Sequence, residues 1–244
     1  MSSLPNRPSK HEYLADRPVR SHTGRVVEHL GLEIVSGRQP QGTLLPGDSD
    51  LIERYGVSRT VLREALKTLS AKGLLQAKAR IGTRVRDRSE WNLFDPDVLV
   101  WYARIGFAPE FLGHLGEMRL ALEPEAAAMA ARRRTPEQLE TIFTWVERMA
   151  DPAIERDAFV RADLGLHLAI ADAAGNPFFL SISTLIEVAL VAMLTASSPV
   201  ENAERLARSV TQHRAIADAI KRGDTVAAHD AMAAVVQQGI DRSH

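Results

Sequence analysis

The 244-residue sequence predicts a mainly α-helical protein with one small β-hairpin. An N-terminal three-helix domain closed by the hairpin is followed by an all-α antiparallel helical bundle. Three observations predict this. Apolar residues recur at helical spacing through most of the chain, and beyond Pro109 no stretch alternates with period two. Two strand-like pieces, residues 74–77 and 83–85, flank one tight, basic loop. Glycine, proline and capping residues cut the helical pattern at short intervals, and short connections make neighbouring helices antiparallel.

Composition sets the class before any element is placed. A chain that is 45% hydrophobic and 25% charged supports a buried core. There is no Cys, which excludes disulfides and thiolate metal sites and fits a reducing cytoplasm. No apolar run is long enough to span a membrane. The opening MSSLPNRPSKHEYLADRP is polar, contains proline and lacks the apolar core of a signal peptide. Residues 1–22 are read as a flexible N-terminal arm, and the expected location is cytoplasmic with no membrane partner. The net charge of −1 hides an asymmetry. Residues 1–88 carry 16 Lys/Arg against 9 Asp/Glu, and residues 89–244 carry 14 against 22. A front half at +7 and a back half at −8 suggest that only the front meets a polyanion.

The front domain is placed at residues 23–88. Its first helix runs over about 24–36, with Val27, Leu30, Ile34 and Val35 on one face, and stops at Gly37. A turn-rich stretch to Gly47 follows. Asp48 is expected to cap a short second helix, which ends at Gly56. Ser58 caps the third helix, whose apolar stripe is Leu62, Ala65, Leu66 and Leu69. Arg59, Arg63 and Lys67 recur every four residues on its other side, with Thr60 beside them. Two helices joined by a tight glycine turn, the second basic at its start, describe a helix-turn-helix. Its recognition helix puts N-terminal side chains into the major groove, and the arginine fork matches the two acceptors of guanine. The hairpin tip, Lys78-Ala-Arg-Ile-Gly82, is basic and reads as a wing able to reach phosphates or a minor groove.

Leu45-Pro46, the run Gly56-Val-Ser-Arg-Thr-Val-Leu-Arg-Glu-Ala-Leu66, Gly73-Leu74 and Gly82-Thr83-Arg84-Val85 resemble the GntR family across the whole winged helix-turn-helix. The resemblance implies DNA-reading positions at Arg59, Thr60 and Arg63, with Arg80 and Gly82 in the wing. It departs at Ser49, where the family usually has Arg, so a DNA contact common in the family is missing or shared differently.

Residues 89–108 form a linker helix in which Asp95 or Asp97 serves as cap. Trp91, Phe94, Leu99 and Trp101 are expected to bury against both domains. Residues 109–244 make the bundle, with helices expected over 109–132, 136–150, 156–174, 177–196, 200–222 and 225–241. Thr135-Pro-Glu-Gln138 is a capping-box start, and Gly175-Asn-Pro177 and Gly223-Asp224 punctuate helix ends.

The residues that break the apolar stripes carry the chemistry. Arg119 falls inside the stripe of 109–132. Asp163 falls inside that of 156–174, with His167 one turn later at its edge. His213 lies at the centre of that of 200–222. A buried unpaired charge is costly, so these groups must satisfy one another, a metal or a ligand. Asp163 and His167 share a face, and a His from another helix supplies a third arm. Oxygen and imidazole donors suit Zn, Mn, Ni or Fe. Arg119 either pairs with Glu123 or Asp163 or receives a carboxylate.

The back half resembles the FCD ligand-binding domain of the FadR subfamily. The matching pieces are Arg119-Leu-Ala-Leu-Glu123-Pro, Asp163-Leu-Gly-Leu-His167, Gly175-Asn176-Pro177, Gln212-His213-Arg214-Ala-Ile216 and Ala219-Ile220 ahead of Gly223-Asp224. The resemblance implies a divalent metal, zinc first, held by Asp163, His167 and His213. A fourth His of the group's pattern falls at Val235 and is absent, and His229 lies on another face. The open positions take water or effector, or the effector binds without metal. The linker, Trp91-Asn-Leu-Phe-Asp-Pro-Asp, is similar to that of galactonate-responsive regulators of sugar-acid catabolism. The expected protein is therefore no enzyme. It is a homodimeric repressor on a pseudo-palindromic double-stranded operator, controlled by a small organic acid bound at Arg119, Asp163, His167 and His213. A metal-dependent hydrolase lacks an accompanying nucleophile or general-base motif. A purely architectural DNA-binding dimer would not respond to a metabolite.

Overall fold

The computed structural model describes residues 21–78, 80–196 and 198–241. Residues 1–20 of the expected arm lie outside them. The chain divides into two compact units between Gly106 and Phe107.

In the first unit, α1 (His22–Val35) starts at Ser21, whose hydroxyl accepts from the Gly24 N–H at 2.9 Å. Its face of Val26, Val27, Leu30 and Ile34 is buried. The second helix, α2 (Asp48–Tyr55), corrects one expectation. Asp48 is its first helical residue, and the N-cap is Gly47, with no side-chain capping bond. The Asp48 and Asp50 carboxylates instead sit in the first turn, where the helix dipole favours them. Gly56 ends α2 in the left-handed conformation (φ 62°), a position that suits glycine. Helix α3 (Arg59–Ala71) opens at Ser58, which accepts from the Val61 N–H at 3.3 Å, and it buries Leu62, Ala65 and Leu69. Strands β1 (Leu75–Lys78) and β2 (Gly82–Val85) pair antiparallel, with Leu75 opposite Val85 and Lys78 opposite Gly82.

The linker folds into this first unit. A 3-10 turn, Arg88–Glu90, leads to α4 (Pro96–Ile105). Asp95 is the cap, accepting from the N–H groups of Asp97 and Val98, and its carboxylate also accepts from Lys72 Nζ at 2.8 Å. Helix α4 packs on α1 through one close approach. Gly31 lies under the Trp101 indole, and a Cβ there would stand 2.5 Å from the ring. Arg104 pairs with Glu28, and Trp91 Nε1 donates to the Arg86 carbonyl at 3.0 Å. Of the four residues expected to be buried there, Trp91, Leu99 and Trp101 are buried, but Phe94 is 57% exposed. It stands in the turn before α4, where Asn92 Oδ1 takes its N–H and the side chain is left largely in solvent.

The second unit is the bundle: α5 (Pro109–Arg133), α6 (Pro136–Met149), α7 (Arg156–Ala173), α8 (Pro177–Ser181), α9 (Ser183–Ala196), α10 (Ala203–Arg222) and α11 (Thr225–Asp241). The Thr135/Gln138 capping box forms at α6. Two expected helices are corrected. The 177–196 span breaks at Ile182, giving α8 and α9. The 200–222 span begins with a 3-10 turn, Pro199–Glu201, and α10 starts only after Asn202, whose extended backbone (φ −143°, ψ 119°) interrupts the helix and whose side chain caps the next one. The core is built from Ile142, Val146, Met149, Phe159, Leu166, Ile170, Ile216, Ile220 and Met232. Alanines 127, 130 and 131 of α5 are buried, so α11 can lie close along that helix.

Candidate functional site

Three bundle helices send polar side chains inward. Arg119 and Glu123 are one turn apart on α5, Asp163 and His167 one turn apart on α7, and His213 sits on α10. None is more than 4% exposed. The four residues singled out from the sequence, Arg119, Asp163, His167 and His213, line one cavity of about 40 Å³. That volume accommodates an ion with a water or two, at about 10–15 Å³ each.

The proton positions follow from the partners. His213 Nδ1 lies 2.7 Å from the Ser209 carbonyl, which only accepts, so Nδ1 carries the hydrogen and Nε2 a lone pair. His167 Nδ1 meets the Glu123 carboxylate in the same way. Both Nε2 atoms are buried and have no hydrogen-bond partner. His213 Nε2 is 2.9 Å from Asp163 Oδ1, close but not aligned as a hydrogen bond. One donor atom each from Asp163, His167 and His213 lies within 4.8 Å of the others. Neighbouring ligands on one tetrahedral cation stand about 3.4 Å apart when the bonds are near 2.1 Å. Two imidazoles and a carboxylate brought this close, each imidazole steadied from behind at Nδ1, are the kind of donor set that a divalent ion takes.

Arg119 is placed differently from one sequence expectation. Its Nε donates to Glu123 Oε1 at 2.5 Å and its Nη2 reaches Oε2 at 3.4 Å. That edge of the guanidinium faces Glu123, so an incoming carboxylate must share the arginine. Burial alone would push the Glu123 carboxyl up, but the Arg119 guanidinium and His167 outweigh it and hold the group at about 2. Asp163 is likewise pushed up by burial, and when the imidazoles are protonated His213 and His167, with Arg119, bring it below the ordinary carboxylate value.

Glu123 is the member of this cluster that sequence reasoning missed, having been weighed only as a pairing partner. The signal was its spacing of four from Arg119 on the same face. The cavity's α11 wall consists of Val235, Gln238 and Gly239 and contributes no imidazole. His229 is half-buried beside Asp230 and Glu125 and does not line the cavity, as its separate face implied.

In the first unit, Arg59, Thr60, Arg63 and Lys67 are exposed on α3, with Ser58 at its start. Arg80 and Gly82 are exposed at the hairpin tip, both with positive φ (64° and 118°). Ser49 is exposed on α2.

A basic helix-turn-helix with a wing, followed by a helical bundle enclosing a donor cluster, defines a two-domain DNA-binding regulator. Residues 22–85 match the family model of bacterial regulatory proteins, gntR family, and residues 114–238 match the FCD domain. The chain belongs to the GntR family, in the group that carries an FCD domain. It is 34% identical to the uncharacterized HTH-type transcriptional regulator YieP of Escherichia coli K12, over 87% of this chain and 91% of that protein. It is 31% identical to the galactonate operon transcriptional repressor of the same strain, over 90% and 96%. A third relative is the HTH-type transcriptional repressor NanR of Enterobacter sp. 638, at 30% identity over 91% and 82%. Among solved structures, Lar of Listeria monocytogenes has the same fold at TM-score 0.56 and 18% identity, over 92% of this chain and 97% of that one. The chain is a transcription regulator and not an enzyme. Among the described residues no helix is long and apolar enough to cross a membrane.

Proposed function

We propose that this protein is a cytoplasmic, homodimeric repressor whose grip on a pseudo-palindromic operator is released by a sugar acid bound with a divalent metal in the FCD domain. The observation that carries the reading is the gathering of donor atoms from Asp163, His167 and His213 within 4.8 Å of one another, with neither buried imidazole Nε2 making a hydrogen bond. Charge supports the order of binding. Arg119 is offset by Glu123, so with neutral imidazoles Asp163 leaves the pocket at net −1. An anion is repelled by that pocket, and a dication reverses its sign.

Asp163, His167 and His213 hold the ion, for which zinc suits two imidazoles and one carboxylate. The metal supplies a Lewis-acidic docking point for carboxylate and hydroxyl oxygens. Arg119 attracts the effector's carboxylate, and the absence of a fourth imidazole at Val235 leaves room for effector oxygen. A six-carbon acid exceeds the cavity of about 40 Å³, so its entry displaces wall residues. That displacement is the event passed on to the DNA-binding unit. There Arg59, Thr60 and Arg63 read base edges, and Ser58, Lys67, Arg80 and Gly82 meet the backbone and the adjacent groove. The likeness to the galactonate operon repressor supports a hydroxylated carboxylate as effector.

Thermal shift with galactonate and other sugar acids, on metal-stripped and zinc-loaded protein, tests the reading, with operator anisotropy in parallel. Binding at a hundredfold excess over Kd stabilises by roughly 2.7 kcal/mol. Equal stabilisation with and without metal replaces the metal-bridged mechanism by direct capture at Arg119 and the two imidazoles. No response to any sugar acid refutes the effector class.

A further inference from the structure

We infer that Glu123 is the positioning residue of the metal site. One of its oxygens holds His167 with the outer nitrogen bare toward Asp163 and His213, while the other engages Arg119. This rests on the reading of the cavity as a divalent-cation site and adds a residue with an assigned task. Glu123 Oε2 faces His167 Nδ1, and Oε1 accepts from Arg119 Nε at 2.5 Å. All three side chains are buried.

The physical argument concerns the imidazole. A neutral histidine has two tautomers of similar energy, and only the one with Nδ1–H presents a lone pair at Nε2. An ionised carboxylate accepts and never donates, so it selects that tautomer. Its negative charge also raises the donor strength of the far nitrogen. Arg119 is needed for this, because a lone buried carboxylate would take up a proton and could then donate to Nδ1. The comparison with His213 sharpens the point. That imidazole is oriented by the neutral Ser209 carbonyl at 2.7 Å, which fixes the tautomer but adds no full charge. His167 is therefore the stronger donor of the two.

The test uses the full chain, metal-stripped, titrated with zinc by calorimetry. Wild type should bind, and His213→Ala should not, which establishes the site itself. Glu123→Gln keeps the shape and removes the charge, and zinc affinity should fall roughly 10–100-fold while the helical circular dichroism is unchanged. A fall smaller than tenfold overturns the inference. The second measurement needs no variant. Nitrogen-15 NMR of metal-free wild type at pH 8 should find the His167 proton on Nδ1, and finding it on Nε2 overturns the inference even if Glu123→Gln does not fold. If wild type binds no zinc, the metal reading fails, and the tautomer alone still decides whether Glu123 holds His167. A merely structural Glu123 would lower the melting temperature in the variant and leave its zinc affinity as in wild type.

Discussion

The two charged surfaces of this protein are built on opposite terms. On α3 the cations Arg59, Arg63 and Lys67 stand in water with no obligation to any neighbour, and each is open to an outside partner. In the bundle, Arg119, Glu123, Asp163, His167 and His213 are buried, and each position depends on the others. Exposed charges are cheap to change for folding and act independently. Buried ones form a unit that fails together, because removing one partner strands another in a low-dielectric interior.

The largest effect expected from this contrast is at His213. His213→Ala should abolish zinc binding and the effector response, as calorimetry and anisotropy with added sugar acid would report, while operator affinity without effector stays within about twofold. Loss of operator binding in that variant would mean that the bundle supports the DNA-binding unit rather than modulating it.

Acid comes next. The folded-state value of Glu123, about 2, lies below its ordinary 4.5. A depressed carboxylate adds stability that is fully present above the ordinary value and is lost as pH falls toward the folded one. The bundle should therefore lose on the order of 3 kcal/mol between about pH 5 and pH 2, and Asp163 acts in the same direction. Acid unfolding followed by circular dichroism checks this. The profile of Glu123→Gln should be flatter across that window, and parallel profiles would show that the carboxylate is not held as described.

Arg59→Ala and Arg63→Ala should each weaken operator binding by about 1–3 kcal/mol and leave the melting temperature nearly unchanged. Additivity between the two would confirm independent surface contacts. Unchanged anisotropy in both would remove α3 from the groove.

The smallest effect sits at the wing. Arg80 is the one non-glycine residue with positive φ among the described residues. Arg80→Gly should raise stability by about 1 kcal/mol by relieving that conformation, yet weaken DNA binding and lower its salt dependence. A variant that is stabilised with undiminished affinity would show that the Arg80 side chain meets no phosphate.

The elements of the first unit were legible because their signals are local. Ser58 caps, Gly56 turns and the spacing of Leu62, Ala65 and Leu69 act within one or two turns, and the structure displaces the strands by only a residue. Asp48 was misassigned because any acid near a helix start satisfies the same electrostatics, whether it caps or lies in the first turn. The break at Ile182 left no clear mark, since Ser181-Ile-Ser-Thr184 holds neither glycine nor proline and is compatible with a continuous helix. Phe94 was expected inside on polarity alone, but a turn residue goes where its backbone points it.

By itself the sequence determined that Arg119, Asp163, His167 and His213 face a core, because a polar residue within an apolar helical stripe has nowhere else to go. Only the tertiary structure decided what each of them meets there. Pairing Arg119 with Glu123, placing Glu123 behind His167 and the Ser209 carbonyl behind His213, and bringing both Nε2 atoms to Asp163 without a hydrogen bond depend on how α5, α7 and α10 are packed against one another. Helical periodicity sets the face a side chain occupies, whereas the partner across the gap is set by the depth and rotation of a different helix. That relation is fixed by close packing of the whole bundle and by no single stretch of chain.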